Sequence, residues 1–290
     1  MRTRPTLSWT ATGAPLPRTR SVDDVVRAVA ERDVLVLSGA GLSTESGIPD
    51  YRGVSGSLRR HTPMTYDEFT GSPAARRRYW ARSHLGWRTI ARADPNAGHR
   101  AVAALGAAGF LSGVITQNVD GLHHAAGTDA VELHGNLDRV VCLSCRAVSA
   151  REDLDRRLRA ANEGFTAAVT RFNPDGDADL AEEDVRGFRV VACVDCGGVL
   201  KPDVVFFGEN VPRVRVEECY ALVDAARSVL VLGSSLTVMS GLRFVRRAAT
   251  AGKPVVIVNQ GATRGDEHAT TRVDLPLGRA LTDVRRALGA

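Results

Sequence analysis

Short apolar runs that alternate with helical patterns are the feature that most constrains the fold of this chain. The runs lie at residues 34–37, 113–116, 229–232 and 255–258. A run without polar alternation is typical of a strand buried on both faces of a parallel sheet. Helical patterns occupy residues 21–31, 97–108, 214–226 and 241–251. Because parallel strands need crossover connections, the alternation predicts an α/β fold built on a Rossmann-type, doubly wound parallel sheet.

Two segments interrupt this alternation. Residues 139–201 hold two Cys-x-x-Cys pairs and the turn-rich stretch Asn173-Pro174-Asp175-Gly176-Asp177, which predict a small inserted domain. Residues from about 53 to 94 are rich in arginine and aromatic side chains and predict a helical lobe beside the sheet. We expect residues 21–138 and 202–290 to form the Rossmann-type domain, and residues 1–20 to form a flexible N-terminal arm.

The composition limits the classes of function. With 290 residues and 44% apolar content, the chain can bury a full core. No run approaches the roughly 18 to 20 apolar residues of a membrane span. The net charge of +5 is modest and the charges alternate in sign, so neither a membrane nor a specific nucleic acid is expected as a partner.

The arginine content bears on location. Of 38 basic residues only Lys201 and Lys253 are lysine, a bias that goes with GC-rich coding and favours a bacterial cytoplasm. Residues 1–22 carry several arginines and no acid, so the mitochondrial matrix is the alternative location.

Four cysteines form two knuckles that predict a zinc site. Cys142 and Cys145 make one Cys-x-x-Cys pair, and Cys193 and Cys196 make the other. Each pair can chelate one ion with tetrahedral geometry, and disulfides are the weaker alternative in a reducing compartment. Because four cysteines leave no open coordination position, we expect one structural zinc ion that performs no chemistry. Cys219 has no partner pattern and is expected to be a packing residue.

A glycine-rich turn, Gly39-Ala40-Gly41-Leu42-Ser43, directly follows the first apolar run. Such a turn can place backbone N–H groups at a phosphate, but it can also merely join a strand to a helix. More specific motifs follow in order along the chain. They are Gly47-Ile48-Pro49-Asp50-Tyr51-Arg52, Thr116-Gln117-Asn118-Val119-Asp120-Gly121-Leu122-His123, Glu132-Leu133-His134-Gly135, the cysteine pairs, Lys201-Pro202-Asp203-Val204-Val205-Phe206-Phe207-Gly208-Glu209 and Gly233-Ser234-Ser235-Leu236.

In these motifs the chain resembles the sirtuin family over about residues 30–280. The stretch from Pro73 to Tyr79-Trp80-Ala81-Arg82 and the long spacing between the cysteine pairs resemble the class II branch of that family.

The resemblance implies an NAD-dependent protein lysine deacylase. Sirtuins transfer the acyl group of an acyl-lysine to the ADP-ribose part of NAD and release nicotinamide. Acylated lysines of proteins are therefore the expected partners. The chemistry needs a base near the ribose hydroxyls, which a histidine can supply. By its motif position, His134 is the expected base, at the end of a strand expected over residues 131–133, where the carboxyl edge of a parallel sheet would place it in the cleft. Asn118 and Asp120 are expected to act beside it at the nicotinamide and ribose. Without the family, Asn118 and Asp120 would be interpreted as turn-forming residues after a strand.

The resemblance also implies a set of NAD-binding residues. It consists of Gly39, Ala40, Gly41, Ser43, Thr44, Ile48, Pro49, Asp50, Arg52, Gln117, Asn118, Val119, Asp120, Gly233, Ser234, Ser235, Asn259, Gln260, Gly261 and Leu277. A mobile loop over the cofactor is expected near residues 47–53, since glycines flank it at both ends.

The expected acyl-lysine site is the extended segment Val204, Val205, Phe206, Phe207, Gly208 and Glu209. A substrate peptide would add to it as a strand, with backbone hydrogen bonds giving affinity. An ordinary core strand would account for the valines but not for the abrupt Gly-Glu end. Tyr79 and Arg82 have the spacing of the pair that binds anionic acyl groups in the desuccinylating branch, which predicts acyl chains larger than acetyl. Alternatively, Arg82 is one of several arginines on a solvated helix.

Two other functions stay open from the sequence. The same activated ribose could be captured by a protein nucleophile, which would make the chain a protein mono-ADP-ribosyltransferase. Four cysteines alone would also allow a zinc-ribbon binding module for protein or nucleic acid, although that function leaves the turns at Gly39, Asn118 and Gly233 unexplained.

Overall fold

The computed structural model describes residues 21–52 and 62–290. The predicted N-terminal arm, residues 1–20, and residues 53–61 of the predicted helical insertion lie outside the described residues. The described strands are β1 (Val34–Ser38), β2 (Leu111–Thr116), β3 (Val131–Glu132), β4 (Gly135–Cys142), β5 (Val148–Ala150), β6 (Arg171–Phe172), β7 (Ala178–Asp179), β8 (Leu200–Val204), β9 (Ser228–Leu232), β10 (Val255–Val258) and β11 (Thr271–Val273).

The described α-helices are α1 (Val22–Ala30), α2 (Tyr66–Gly71), α3 (Pro73–Ile90), α4 (Ala97–Ala107), α5 (Leu122–Ala125), α6 (Arg151–Ala161), α7 (Glu182–Val185), α8 (Arg213–Ala225), α9 (Met239–Thr250) and α10 (Leu277–Leu288). Within the part of the chain that the structure describes, a helix long and apolar enough to cross a membrane is not found.

Six strands form one parallel sheet in the order β11-β10-β9-β1-β2-β3. The four apolar runs are β1, β2, β9 and β10, and the four helical patterns are α1, α4, α8 and α9. The predicted doubly wound α/β sheet is therefore confirmed. The edge strand β3 confirms the strand expected over residues 131–133, just before His134. The edge strand β11 was not predicted, because three residues are too short to produce a recognisable run.

The side chains of β1 alternate between two cores. Val34 and Val36 are buried in a cluster with residues of α1, α4 and α10. Leu35 and Leu37 are buried in a second cluster with residues of α8 and α9. With helices on both faces, a central strand has no exposed side, which is why its sequence shows no polar alternation.

β1 lies where the strand order reverses. The chain continues from β1 to β2 on one side of the sheet and later returns to β9 on the other side. In open α/β sheets, ligands bind in the crevice beyond the carboxyl ends of the strands at such a point. The turns that follow β1 and β9 therefore mark the place of the candidate site.

A three-stranded antiparallel sheet, β5-β4-β8, lies beside the Rossmann-type sheet. The proposed limits of the inserted domain, residues 139–201, fall inside β4 and β8, which pair with each other. The chain thus leaves the larger unit and returns to it through one pair of strands. We keep the division at these residues as a proposal.

A buried ion cluster joins the helical lobe of α2 and α3 to α6. The carboxylate of Asp155 on α6 lies 2.8 Å from His84 Nδ1 on α3 and 2.7 Å from Arg159 Nη2. Burial by itself would raise the pKa of Asp155, but hydrogen bonds from His84 and Arg159 hold it below its usual range. The guanidinium of Arg151 lies over the Trp87 ring, 4.7 Å from its centroid.

The predicted turn at residues 173–177 connects β6 and β7 into a hairpin that packs on α3. At Gly86 on α3, a Cβ atom would lie 2.4 Å from the carbonyl carbon of Asp177. The backbone of the hairpin thus approaches α3 so closely that only glycine fits there.

Candidate functional site

Two glycine turns meet at the carboxyl ends of β1 and β9. Gly41 N donates to Gly233 O at 2.9 Å, and Gly39 N donates to Leu232 O at 2.9 Å. A Cβ atom on Gly41 would lie 2.9 Å from Gly233 Cα, and Gly233 itself has φ +61°. Only glycine allows this contact, and it leaves a cradle of backbone that fits a dinucleotide phosphate. Ala40, Ser234 and Ser235 complete the two turns.

Ser43 joins the two polar residues expected at the nicotinamide. Its hydroxyl donates to Asp120 Oδ2 at 2.6 Å and accepts from Asn118 Nδ2 at 3.0 Å. Asn118 Nδ2 also donates to Gly39 O at 3.1 Å. Burial raises the pKa of Asp120, although the hydrogen bonds from Ser43 and Leu122 N favour its ionised form and partly oppose this shift. A carboxyl and a carboxamide are thus held in one orientation beside the first glycine turn.

His134 lies between β3 and β4 with both ring nitrogens in hydrogen bonds. Its Nδ1 is 2.9 Å from Gln117 O, and its Nε2 is 2.8 Å from Ser240 Oγ. Burial lowers the pKa of His134 to about 4, so the imidazole is neutral near pH 7 and can accept a proton.

Gly135 brings the expected substrate segment against His134. It has φ +84° and pairs with Val204, and a Cβ atom there would lie 1.9 Å from Asp203 O. The next residue of the segment, Val205, donates its N–H to His134 O at 2.8 Å. The expected base and the expected acyl-lysine segment therefore lie side by side on two adjacent segments of the chain.

Residues beyond Val205 are held by an ion pair and an aromatic cluster. Lys201 Nζ lies 3.1 Å from Glu209 Oε2, which also accepts from Phe206 N at 2.9 Å. The Phe206 ring packs 5.2 Å from the rings of both Phe69 and Tyr79, measured between centroids. Gly208 has φ +85°, which explains the glycine at the end of the segment.

The described part of the expected cofactor loop, residues 47–52, follows the first glycine turn. Ile48 is buried, while Pro49, Asp50 and Arg52 are partly exposed. Gly47 has φ +83° and starts the loop. The hydroxyl of Thr44 donates to Gly41 O at 2.9 Å, which ties the loop to the glycine turn.

The remaining residues of the predicted NAD set extend along the same edge of the sheet. Gln117 Nε2 donates to Ser234 Oγ at 2.9 Å, and Val119 O accepts from Leu137 N at 2.9 Å. Beyond β10, Asn259 Nδ2 donates to the carbonyls of Gln260 and Gly261 at 2.9 and 3.0 Å.

Leu277 closes this end of the crevice at the start of α10. A Cβ atom on Gly233 would lie 2.6 Å from Leu277 Cδ1. Next to it, Gly278 N donates to Glu45 Oε1 at 3.0 Å. The loop after the first turn is thereby linked to the N-terminus of α10, where a carboxylate is favourable.

Tyr79 and Arg82 lie together on α3, but Arg82 already has acidic partners. Its Nη2 donates to Asp179 Oδ1 at 2.6 Å, and its Nε lies 3.2 Å from Asp177 Oδ2. Arg82 Nε also donates to Ala178 O at 2.9 Å. Tyr79 is buried. Arg82 is therefore not a solvated helix residue, and its charge is balanced by the β6–β7 hairpin.

The four cysteines converge as the sequence predicts. Their Sγ atoms all lie within 4.8 Å of one another. Cys142 Sγ is 3.5 Å from Cys196 Sγ, and Cys145 Sγ is 3.8 Å from Cys193 Sγ. A tetrahedral Zn–S₄ centre with bonds of about 2.3 Å needs sulfur atoms about 3.8 Å apart. The cluster therefore fits one structural zinc ion, and the separations are too long for disulfides.

Three features of the site were not predicted from the sequence. They are the contact of Ser240 with His134, the contact of Glu45 with α10, and the pairing of Asp177 and Asp179 with Arg82. A signal existed only for Asp177, which stands in the turn-rich stretch; Asp179 lies two residues beyond it. Ser240 and Glu45 follow recognised motifs, but partners distant in sequence cannot be inferred from one chain.

Comparison with known proteins gives concordant results. The sequence pattern of the Sir2 family matches residues 39–240. NAD-dependent protein deacetylase 1 of Streptomyces coelicolor is 69% identical over 291 residues, covering 100% of this chain and 97% of the relative.

Two solved structures are similar over most of the chain. A Sir2 complex with a p53 peptide and NAD+ has a TM-score of 0.75 at 30% identity, covering 93% of this chain and 99% of the other. A Sir2 complex with a deacetylated p53 peptide and 3'-O-acetyl ADP-ribose has a TM-score of 0.76 at 30% identity, with the same coverage.

Proposed function

The chain belongs to the Sir2 family, and we propose on that basis that it removes acyl groups from lysine side chains of proteins with NAD as co-substrate. The acyl group would pass from lysine to ADP-ribose, with consumption of one water molecule and release of nicotinamide and the free lysine amine. The relative from Streptomyces coelicolor, which is named an NAD-dependent protein deacetylase, supports this proposal at 69% identity.

One observation carries the proposal, the position of His134 between two sets of ligand-binding residues. On one side its Nδ1 contacts Gln117 O, next to Asn118 and the glycine turns. On the other side its carbonyl accepts from Val205 N of the substrate segment. A base in this position is suited to serve a reaction between a dinucleotide and a peptide.

Each group of residues around the crevice has its own role in the proposed reaction. NAD, when bound, supplies the ribose carbon that receives the acyl oxygen and the hydroxyl that becomes acylated. In the two glycine turns the N–H groups of Gly39, Gly41 and Gly233 donate to backbone carbonyls, so those of Ala40, Ser234 and Ser235 would serve its phosphates. Asp120 and Asn118 offer an acceptor and a donor for the carboxamide and the ribose. His134, neutral because burial lowers its pKa to about 4, accepts a proton from the ribose hydroxyl.

We further propose that the enzyme prefers neutral acyl chains, including chains longer than acetyl. A cavity of about 300 Å³ has Tyr79, Arg82 and Asp177 in its lining, and we propose that it holds the part of an acyl chain beyond acetyl. Arg82 would be the partner of an anionic chain, but it is engaged by Asp177 and Asp179. A third carboxylate would meet like charges there, which opposes its binding.

A panel of acyl-lysine peptides with NAD tests both proposals. Acetyl, butyryl, lipoyl, succinyl and glutaryl peptides are compared by nicotinamide release and by mass spectrometry of the products. We expect O-acyl-ADP-ribose, with kcat/KM for neutral chains at least tenfold above that for anionic chains. His134→Ala should lower the rate by about 100- to 10,000-fold and keep the far-UV circular dichroism spectrum.

Other outcomes point elsewhere. ADP-ribose attached to protein, with lysine still acylated, would support mono-ADP-ribosyl transfer instead. A preference for succinyl or glutaryl peptides would contradict the specificity proposal alone. As a matched control, Asp177→Asn with Asp179→Asn should raise turnover of the anionic chains, because it removes the charges that compete for Arg82.

We also propose a bacterial cytoplasmic location, which the bacterial relatives support. Fractionation of the source cells followed by immunoblotting tests it, and recovery with the membrane fraction would contradict it.

A further inference from the structure

Ser240 contacts His134 on the side of the ring opposite Gln117. It is the second residue of α9, is partly exposed, and has its Oγ 2.8 Å from His134 Nε2. None of the motifs that indicate the family includes Ser240. Its contact is with the one histidine that the proposed reaction uses as a base.

The chemistry of the partners decides which atom donates in this contact. Gln117 O is a carbonyl and can only accept, so His134 Nδ1 carries a hydrogen. In a neutral imidazole the other nitrogen then carries the lone pair, so the Ser240 hydroxyl donates to Nε2. Because Nε2 has a single lone pair, the Ser240 O–H must rotate away from it before Nε2 takes the proton of the ribose hydroxyl, and Ser240 Oγ can then accept a hydrogen bond from the protonated Nε2. Ser240 can therefore pair with both protonation states of His134.

The start of α9 is held in place for this contact. At Gly241 a Cβ atom would lie 2.4 Å from Gln117 Oε1, so the helix packs directly on the Gln117 side chain. Gln117 Nε2 in turn donates to Ser234 Oγ at 2.9 Å. Gln117 thus contacts His134 through its carbonyl and the start of α9 through its side chain, which fixes the distance between Ser240 and His134.

The surroundings make an unpaired imidazolium costly. Burial disfavours the protonated ring of His134, and the positive charges of Arg215 and Arg243 add a smaller effect in the same direction. A hydroxyl that accepts from the protonated Nε2 offsets part of that cost, because hydrogen bonds to charged groups are about twice as strong as neutral ones.

We propose that Ser240 is a positioning residue for His134, whose hydroxyl orients Nε2 and pairs with it before and after proton uptake. The proposal rests on the proposed function of His134 as the base, and it adds a residue outside the family motifs to that site.

Nuclear magnetic resonance of ligand-free, ¹⁵N-histidine-labelled protein at neutral pH tests the contact without the reaction. His134→Ala assigns the signals. In Ser240→Ala, the Nε2 resonance of His134 should move toward that of a lone-pair nitrogen without a hydrogen bond, while Nδ1 stays protonated. Ser240→Thr, which keeps a hydroxyl, should restore it. Ser112→Ala is the control. Ser112 is exposed and lies near the start of β2, at the end far from Gln117, so its replacement should leave the His134 resonances unchanged.

Kinetics then test the role. Ser240→Ala should lower kcat by roughly 10- to 100-fold, the equivalent of one charge-assisted hydrogen bond, and Ser240→Thr should recover most of it. The Kd of NAD from calorimetry should stay within about twofold, because Ser240 acts through His134. If Ser240→Ala does not fold, Ser240→Cys, with its weaker thiol donor, takes its place.

Each remaining outcome has one interpretation. An unmoved Nε2 resonance in Ser240→Ala overturns the hydrogen bond, and a moved resonance with unchanged kcat overturns the positioning role. A kcat that Ser240→Thr does not recover, although the resonance returns, also overturns it. A wild-type protein that shows the resonance but releases no nicotinamide refutes the proposed function, and leaves the Ser240–His134 contact standing.

Discussion

Replacement of Gly86 by alanine should destabilise the protein, although alanine is the better helix former. Gly86 lies in the interior of α3, where glycine costs about 1 kcal/mol relative to alanine in an exposed helix. From the sequence alone, Gly86→Ala would therefore be expected to stabilise. The structure reverses the sign, because the new Cβ atom would lie 2.4 Å from the carbonyl carbon of Asp177 and 2.7 Å from Ala178 N.

The magnitude follows from the opposing effects. The atoms that meet the Cβ belong to backbone and not to a flexible side chain, so α3 or the β6–β7 hairpin must move. Such overpacking costs roughly 1–3 kcal/mol. Movement also weakens the pairing of Arg82 with Asp177 and Asp179, worth up to about 1 kcal/mol for a partly exposed pair. With the full pairing loss of about 1 kcal/mol, which the propensity gain of about 1 kcal/mol offsets, we expect a net loss of about 1–3 kcal/mol in the free energy of unfolding.

Gly106→Ala provides the matched control. Gly106 lies near the end of α4, and the nearest atom to a new Cβ there is Leu111 Cδ1 at 4.0 Å. The same chemical change without a clash should stabilise by a few tenths to about 1 kcal/mol. Urea unfolding of both variants and wild type, followed by the fluorescence of Trp80 and Trp87 on α3, gives the two differences.

The two variants must change the free energy of unfolding in opposite directions. If Gly86→Ala unfolds at the same or a higher urea concentration than wild type, the close approach of the hairpin to α3 is wrong. If both variants destabilise equally, the cause is not the contact with Asp177. A shifted hairpin should also change the ratio of lipoyl to acetyl turnover, because the cavity beside Tyr79 and Arg82 includes Asp177.

Three further predictions concern other parts of the molecule. Cys142→Ser should release zinc and unfold the inserted domain, whereas Cys219→Ser should keep one zinc ion per chain. Metal analysis and circular dichroism of both variants test this prediction, and a full zinc content in Cys142→Ser would contradict it. Burial lowers the pKa of His99 to about 4 and of His123 to about 3, so folding favours their neutral forms. The stability they contribute is complete above about pH 6.5 and is lost as the pH falls through about 4 for His99 and about 3 for His123. Their imidazole resonances should therefore stay neutral at pH 5, and midpoints near 6.5 would refute the burial argument. Gly135→Ala should lower the free energy of unfolding by about 3 kcal/mol or more and abolish activity, because it adds a Cβ atom at a positive φ against a carbonyl oxygen. A variant that keeps full activity and unfolds at the same urea concentration as wild type would argue against that contact.

Much of the fold could be predicted because its signals are local. A strand covered on both faces is apolar at every position, so β1, β9 and β10 can be recognised from consecutive residues. The zinc site is equally local, since two Cys-x-x-Cys knuckles show their ligands by spacing alone. The edge strand β3 could be predicted only from the motif that ends in His134, and β11 carries too few residues for either kind of signal.

The sequence by itself determined the alternation of strands and helices, the zinc ligands, and the motif residues from which a family can be recognised. These depend on periodicity and spacing, which are properties of neighbouring residues. Only the tertiary structure decided that Arg82 is balanced by Asp177 and Asp179, and that Ser240 meets His134, 106 positions away along the chain. Electrostatic pairing and hydrogen bonding act over a few ångströms in space, whatever the separation along the chain. The partners of a buried charge or a catalytic imidazole therefore become visible only when the chain has folded.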